Sequence, residues 1–175
     1  MDRVAQQGDI KEDGMNNIND INDINDININ GMAHVILTVS QFDKAKAFYS
    51  RLMPALGLER VFDGGEMCYF VGARTALGIQ PCAPEHAGER FVQGRVGLHH
   101  ICFRARAEAD VDAVEALLVE MEAHIVSPAK AGPWAPGYYY VLFEDPDGIR
   151  VEVNFVPGQG VLAADESFNP GGDYH

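Results

Sequence analysis

The stretch Asp145-Pro146-Asp147-Gly148-Ile149-Arg150-Val151-Glu152-Val153 decides how the rest of the chain is read. Proline second and glycine fourth is a type I turn pattern. The β-branched run after it, residues 149–155, reads as a strand. Glu152 sits in the middle of that apolar run. A buried carboxylate is costly unless it is paired, protonated or bound to a cation. Two other apolar runs open with histidine, Ala33-His34-Val35-Ile36 and Leu98-His99-His100-Ile101.

Working backwards from the turn, residues 138–143 form a strand and residues 129–137 a glycine- and proline-rich loop. Ile125 and Val126 begin a short strand. Val111, Val114, Leu117, Leu118 and Met121 give one helical face between Glu108 and Glu122, and residues 97–103 form a strand. The preceding half repeats the order. Residues 33–39 read as a buried strand. Ser40 is expected to cap a helix, with Asp43 in capping-box position. Phe42, Ala45, Phe48 and Leu52 share a helical face that Pro54 and Gly57 end. Strands at 60–62, 66–71 and 75–80 follow. Each half is β-α-β-β-β, and such a repeat is itself structural information. The expected fold is α+β: two tandem βαβββ modules, about 32–81 and 97–157, joined by a linker at 82–96. Their strands would form a curved mixed sheet around a central cavity.

The flanks differ. Ile18-Asn19-Asp20, Ile21-Asn22-Asp23 and Ile24-Asn25-Asp26 repeat one triplet whose period fits neither helix nor strand. Residues 1–31 are therefore expected to be a disordered tail, and residues 158–175 a loosely packed one.

The chain has 175 residues and a net charge of −13, which argues against nucleic acid and anionic membranes as partners. No apolar run reaches the ~20 residues that span a bilayer, and a cytoplasmic location is the expectation. Cys68, Cys82 and Cys102 form no CxxC pair and read as reduced thiols.

Strand alternation sets which side chains share a face. His34 goes with Ile36 and Thr38, His100 with Leu98 and Cys102, and Glu152 with Arg150 and Asn154. His99 then points away from His100's face. Two imidazoles and one carboxylate would leave positions open on Fe(II), Mn(II), Co(II), Ni(II) or Zn(II). The plainer alternatives are a backbone-satisfied His34, a Glu152 paired with Arg150 or Arg104, and a His99-His100 pair with one ring exposed. Tyr138-Tyr139-Tyr140 can offer a phenol, Lys130 a cation for an anionic group, and Glu66 a base.

These stretches resemble the vicinal oxygen chelate superfamily, which includes glyoxalase I, extradiol dioxygenases, fosfomycin-resistance and bleomycin-resistance proteins. The matching residues are His34-Val-Ile-Leu-Thr-Val, Ala47-Phe48-Tyr49 leading to Leu56-Gly57-Leu58, His100-Ile-Cys-Phe, and Asp145-Pro-Asp-Gly-Ile-Arg-Val-Glu152, within residues 32–157. The resemblance implies a divalent metal held by His34, His100 and Glu152. It implies a small substrate chelated through adjacent oxygens, lyase, dioxygenase or transferase chemistry, and a homodimer. Metal-free small-molecule binding, as in bleomycin-resistance proteins, is the alternative. Glyoxalase I has a fourth ligand, a glutamate, on the last strand of the first module. Here either Gln80 supplies an amide there or Gly78 leaves the position empty, which counts against lactoylglutathione lyase chemistry. Tyr140 is the expected hydrogen-bond donor beside the metal.

Overall fold

The computed structural model describes residues 29–72, 74–162 and 168. The Ile-Asn-Asp repeat lies outside them, as does most of the C-terminal tail. The described residues from Met32 onward belong to one compact unit.

The first module contains β1 (His34–Val39), α1 (Phe42–Ala55), β2 (Glu59–Asp63), β3 (Cys68–Val71) and β4 (Ala76–Pro81). The second contains β5 (Ile101–Arg104), α2 (Glu108–Glu120), β6 (His124–Ala131), β7 (Tyr139–Glu144) and β8 (Arg150–Phe155). Each module forms its own four-stranded mixed sheet, in the orders β1-β4-β3-β2 and β5-β8-β7-β6. β1 runs parallel to β4 and β5 parallel to β8, while the other pairings are antiparallel. The α+β fold of tandem βαβββ modules is therefore as expected, with the strands hydrogen-bonded as two curved sheets. Among the described residues no helix is long and apolar enough to cross a membrane.

Alternation assigns the faces. Leu37 and Val39 of β1 point into the core, while His34, Ile36 and Thr38 are exposed on the other face. Ala45, Tyr49, Leu52 and Met53 of α1 and Val111, Val114 and Leu118 of α2 are buried. They join Phe70, Ile79, Phe143, Val151 and Val153 in one core that crosses both modules. The non-helical face of each sheet is left to carry chemistry.

The link between modules corrects one expectation. Ser40 does not cap α1, whose N-cap is Gln41 with no side-chain cap of its own. The acceptor comes from 107 residues away. Asp147, in the second module's turn, accepts the Ser40 amide at 2.7 Å, the Gln41 amide at 3.1 Å and the Ser40 hydroxyl. Gln41 Nε2 returns a bond to the Pro146 carbonyl at 2.6 Å. Asp145 accepts the amides of Asp147 and Ile149 on one oxygen and the Tyr49 hydroxyl on the other. The type I turn of the second module thus also accepts from the two residues, Ser40 and Gln41, that lead into the other module's helix.

Two strand boundaries differ as well. Residues 97–100 are not strand, and β5 begins at Ile101. β6 continues through Pro128 to Ala131, tolerated because β6 is an edge strand.

Candidate metal centre

Register builds the site. Parallel pairing sets Cys102 beside Glu152, and antiparallel pairing sets Leu142 opposite Glu152 and Tyr140 opposite Asn154. Residues paired this way project to the same face. Glu152 is 0% exposed there. Its Oε1 accepts the Tyr138 hydroxyl, and Cys102 Sγ lies 3.4 Å away. Asn154 Nδ2 donates to the Tyr138 oxygen at 2.7 Å. Burial, then the hydrogen bond to Glu152, pushes the Tyr138 phenol well above its ordinary range, which keeps it a donor. Burial and the same carboxylate raise the Cys102 thiol.

The other oxygen is different. Glu152 Oε2 is buried and accepts no hydrogen bond. It faces His100 Nε2 at 3.6 Å, beyond hydrogen-bond length. Burial lowers the His100 pKa against the pull of Glu152, so the imidazole is held neutral. His100 Nδ1 lies 2.7 Å from Nδ1 of His99.

These two residues fit a metal. Nitrogen and oxygen ligands held about 2.0–2.2 Å from one ion in tetrahedral disposition stand about 3.3–3.6 Å apart. An orphaned buried carboxylate oxygen facing a neutral imidazole matches that spacing and donor chemistry.

The remaining expected residues fall elsewhere. His34 lies exposed at the start of β1, with its ring 6.5 Å from that of Tyr69. Among the described residues no three His, Cys, Asp or Glu side chains converge as a metal cluster. One chain therefore brings His100 and Glu152 together and leaves His34 out. Gln80 donates to the Thr38 hydroxyl at 3.2 Å. Gly78 pairs with Ile36 as Glu152 pairs with Cys102, so Gly78 occupies the register position that matches Glu152 in the repeat. A Cβ there would meet Ile36 Cδ1 at 2.5 Å and the Tyr69 ring at 2.8 Å.

Tyr140 does not reach Glu152. Its hydroxyl accepts from Ser127 at 3.2 Å, and its ring packs with Trp134 and Leu142. The expected donor role falls to Tyr138, two residues earlier on the same face. Lys130 is exposed with its ammonium 5.9 Å from the Tyr140 ring centre, and Glu66 is exposed. Arg150, weighed as a partner for Glu152, has its Nε 3.5 Å from Glu144. Sequence reasoning gives Tyr138, Asn154 and His99 no individual role at the site. Centring the hairpin on Asp147 gives the Tyr140–Asn154 pairing, which would have found the first two.

The family model for the Glyoxalase/Bleomycin resistance protein/Dioxygenase superfamily matches residues 31–153. The chain belongs to that superfamily. Within it, a metallothiol transferase, FosB, of Shouchella clausii is 30% identical over 128 residues, covering 72% of this chain and 80% of the relative. A putative glyoxalase from Bacillus halodurans superposes with a TM-score of 0.64 at 24% identity, covering 73% of this chain and 96% of that one. The fosfomycin resistance protein FosX of Listeria monocytogenes, solved as a point mutant with Mn(II) and dihydroxypropylphosphonic acid, gives 0.53 at 20% identity, covering 71% and 89%. For both structures the likeness is one of fold. The superfamily's βαβββ modules are those assembled here from β1 to β8.

Proposed function

We propose that this superfamily member is a metal-dependent enzyme acting on a small substrate at the face that carries Glu152. The observation behind this reading is the buried Glu152 Oε2, without a hydrogen bond and 3.6 Å from a neutral imidazole. His100 Nε2 and Glu152 Oε2 are two ligands. His34 of a second copy is the third, in a homodimer. Strands β1 and β5 are both sheet edges, so a second copy can bring its His34-bearing edge to the His100-bearing one. The bound divalent ion supplies Lewis-acid stabilisation of negative charge on a substrate's adjacent oxygens.

The chain's own residues do the rest. Tyr138 fixes the Glu152 carboxylate by donating to Oε1, and Asn154 orients the Tyr138 hydroxyl in turn. Gly78, where the repeat would put a second carboxylate, offers no group to take a proton. The reading therefore favours transfer or addition chemistry, as in the metallothiol transferase relative, over proton-shuttling isomerisation.

The test is metal content of the dialysed protein after loading with Mn(II) or Zn(II). Wild type is expected to hold one ion per chain, and H34A, H100A and E152Q each to lose it. Because the ligand set is shared, co-expressed H34A and E152Q chains should recover one intact site per hybrid dimer. Failure of wild type to hold metal under any loading would support metal-free small-molecule binding instead.

A further inference from the structure

The register of the repeat places Ile36 and Gly78 in the first module where the second has Cys102 and Glu152. Counted on from those pairs, Ser40 and Gln41 ahead of α1 correspond to Arg106 and Ala107 ahead of α2. Asp147, in the turn before β8, corresponds to position 73 of the sequence, an alanine. The first junction between modules is bridged by a carboxylate, Asp147, which accepts from Ser40 and Gln41. At the second junction the sequence supplies no carboxylate at the matching place. There α2 closes its own end, with Asp110 accepting the Arg106 and Ala107 amides at 3.2 and 3.0 Å.

A groove of about 790 Å³ lies at this second junction, a size typical of small-molecule sites. Its apolar lining comes from both modules: Leu56 and Leu58 after α1, Phe103 and Val153 of β5 and β8, and Val114 and Leu117 of α2. Leu58, Val114 and Val153 are buried. Phe103 and Val153 follow Cys102 and Glu152 on their strands, so they face the opposite side of the sheet from the candidate metal centre. The groove also carries Arg74, Arg104 and Arg106, three of the chain's 13 lysines and arginines. Arg104 Nη2 donates to the Val156 carbonyl at 3.4 Å. Among the described residues none of the three is in an ion pair with a carboxylate. The net charge of −13 acts on an approaching anion only within a Debye length, about 10 Å at 0.1 M salt. At the groove itself the nearby guanidinium groups decide, and their planar forks match a carboxylate.

We propose that this groove binds a small amphipathic carboxylate. Its head is held by Arg74 and Arg106, doing at this junction what the Asp147 carboxylate does at the other. Its hydrocarbon body lies against Leu58, Val114 and Val153. The site is separate from Glu152 and does not depend on metal binding there.

Calorimetric titration of the full-length chain with octanoate tests this, with EDTA present so that no metal ion carries the carboxylate. One octanoate per chain is expected. Octanamide keeps the body without the charge, and acetate keeps the charge without the body. Each should bind about tenfold more weakly or worse, since both a charged hydrogen bond and the burial of a few methylenes are worth that factor. R74Q/R106Q should weaken octanoate by a similar factor. Both side chains are exposed, so its thermal midpoint without ligand should stay within about 2 °C of wild type. Absence of octanoate binding at millimolar concentration would overturn the proposal. So would octanamide binding as tightly as octanoate, or wild-type octanoate affinity in R74Q/R106Q.

Discussion

The Tyr49 hydroxyl donates to Asp145 Oδ2 at 3.0 Å, joining the middle of α1 to the turn before β8. Both groups are buried, Tyr49 at 0% and Asp145 at 5% exposure. Burial outweighs the hydrogen bonds to Asp145 and raises its pKa from 3.8 to about 6. A carboxyl raised in the folded state holds its proton where the unfolded chain has already released it. The unfolded state then binds fewer protons, so stability falls as pH rises from about 4 to about 6 and is level above that. A shift of this size corresponds to about 3 kcal/mol. In D145N, Oδ1 can still accept the amides of Asp147 and Ile149, but the charge is gone. Urea unfolding across pH 4.5–7.5 should therefore show the D145N-minus-wild-type stability difference growing with pH and levelling off above about 6.5.

Asp147 is expected to be among the costliest single truncations outside the apolar core. It is 4% exposed, accepts the Ser40 and Gln41 amides and the Ser40 hydroxyl at the entry to α1, and lies 3.8 Å from Arg90 Nε. Loss of a cap costs about 1 kcal/mol, and hydrogen bonds to a charged group are worth about 1.5–3 kcal/mol. D147A should lose about 2–4 kcal/mol, read as a fall in Tm of about 5–15 °C. S40A, which removes only the hydroxyl, should lose clearly less.

Glu152 separates a ligand from a structural ion pair. If its carboxylate awaits a cation, removing the charge relieves a desolvated group. Without metal, E152Q should then unfold at the same denaturant concentration as wild type or a higher one. With Mn(II) or Zn(II) at about 100 times the dissociation constant, wild type should gain about 2.7 kcal/mol and E152Q nothing. A marked loss of stability in metal-free E152Q would instead identify a structural pair.

The two tyrosines of β7 and its approach should divide cleanly. Y138F removes the donor on Glu152 Oε1 and should weaken metal binding about 10–100-fold. Y140F removes only the contact with Ser127 and should cost about 1 kcal/mol of stability without altering metal affinity. Calorimetric titration of both variants checks this.

The contrast between those tyrosines shows where the sequence was legible. Period and turn chemistry are local, so the repeat and the helical faces could be read from residue order, whereas His34, His100 and Glu152, far apart in sequence, were grouped as one set that the resemblance implies. The phenol on Glu152 depends on hairpin register, which a turn pattern alone leaves open. The Ser40 cap failed because a stronger acceptor arrives from the other module. The orientation of His99 failed because strand alternation was extended over residues 97–100, which precede β5 and begin with Gly97 at φ +142°. His34 was assigned to a ligand set on the strength of resemblance, and a single chain does not bring it there.

Asp147 also bears on how the two halves depend on one another. A repeat suggests two domains that could each stand alone, yet the segment entering the first helix is tied to a carboxylate of the second module and the core runs through both. Separating the halves would leave the Ser40 and Gln41 amides without their acceptor and an apolar wall open to water. The linker between Ala83 and Leu98 is fastened as well, with the Phe91 amide donating to the Asp147 carbonyl at 3.0 Å and its ring against the core. A chain nicked there should stay together as two interlocked fragments, as obligate as the subunits of a permanent heterodimer.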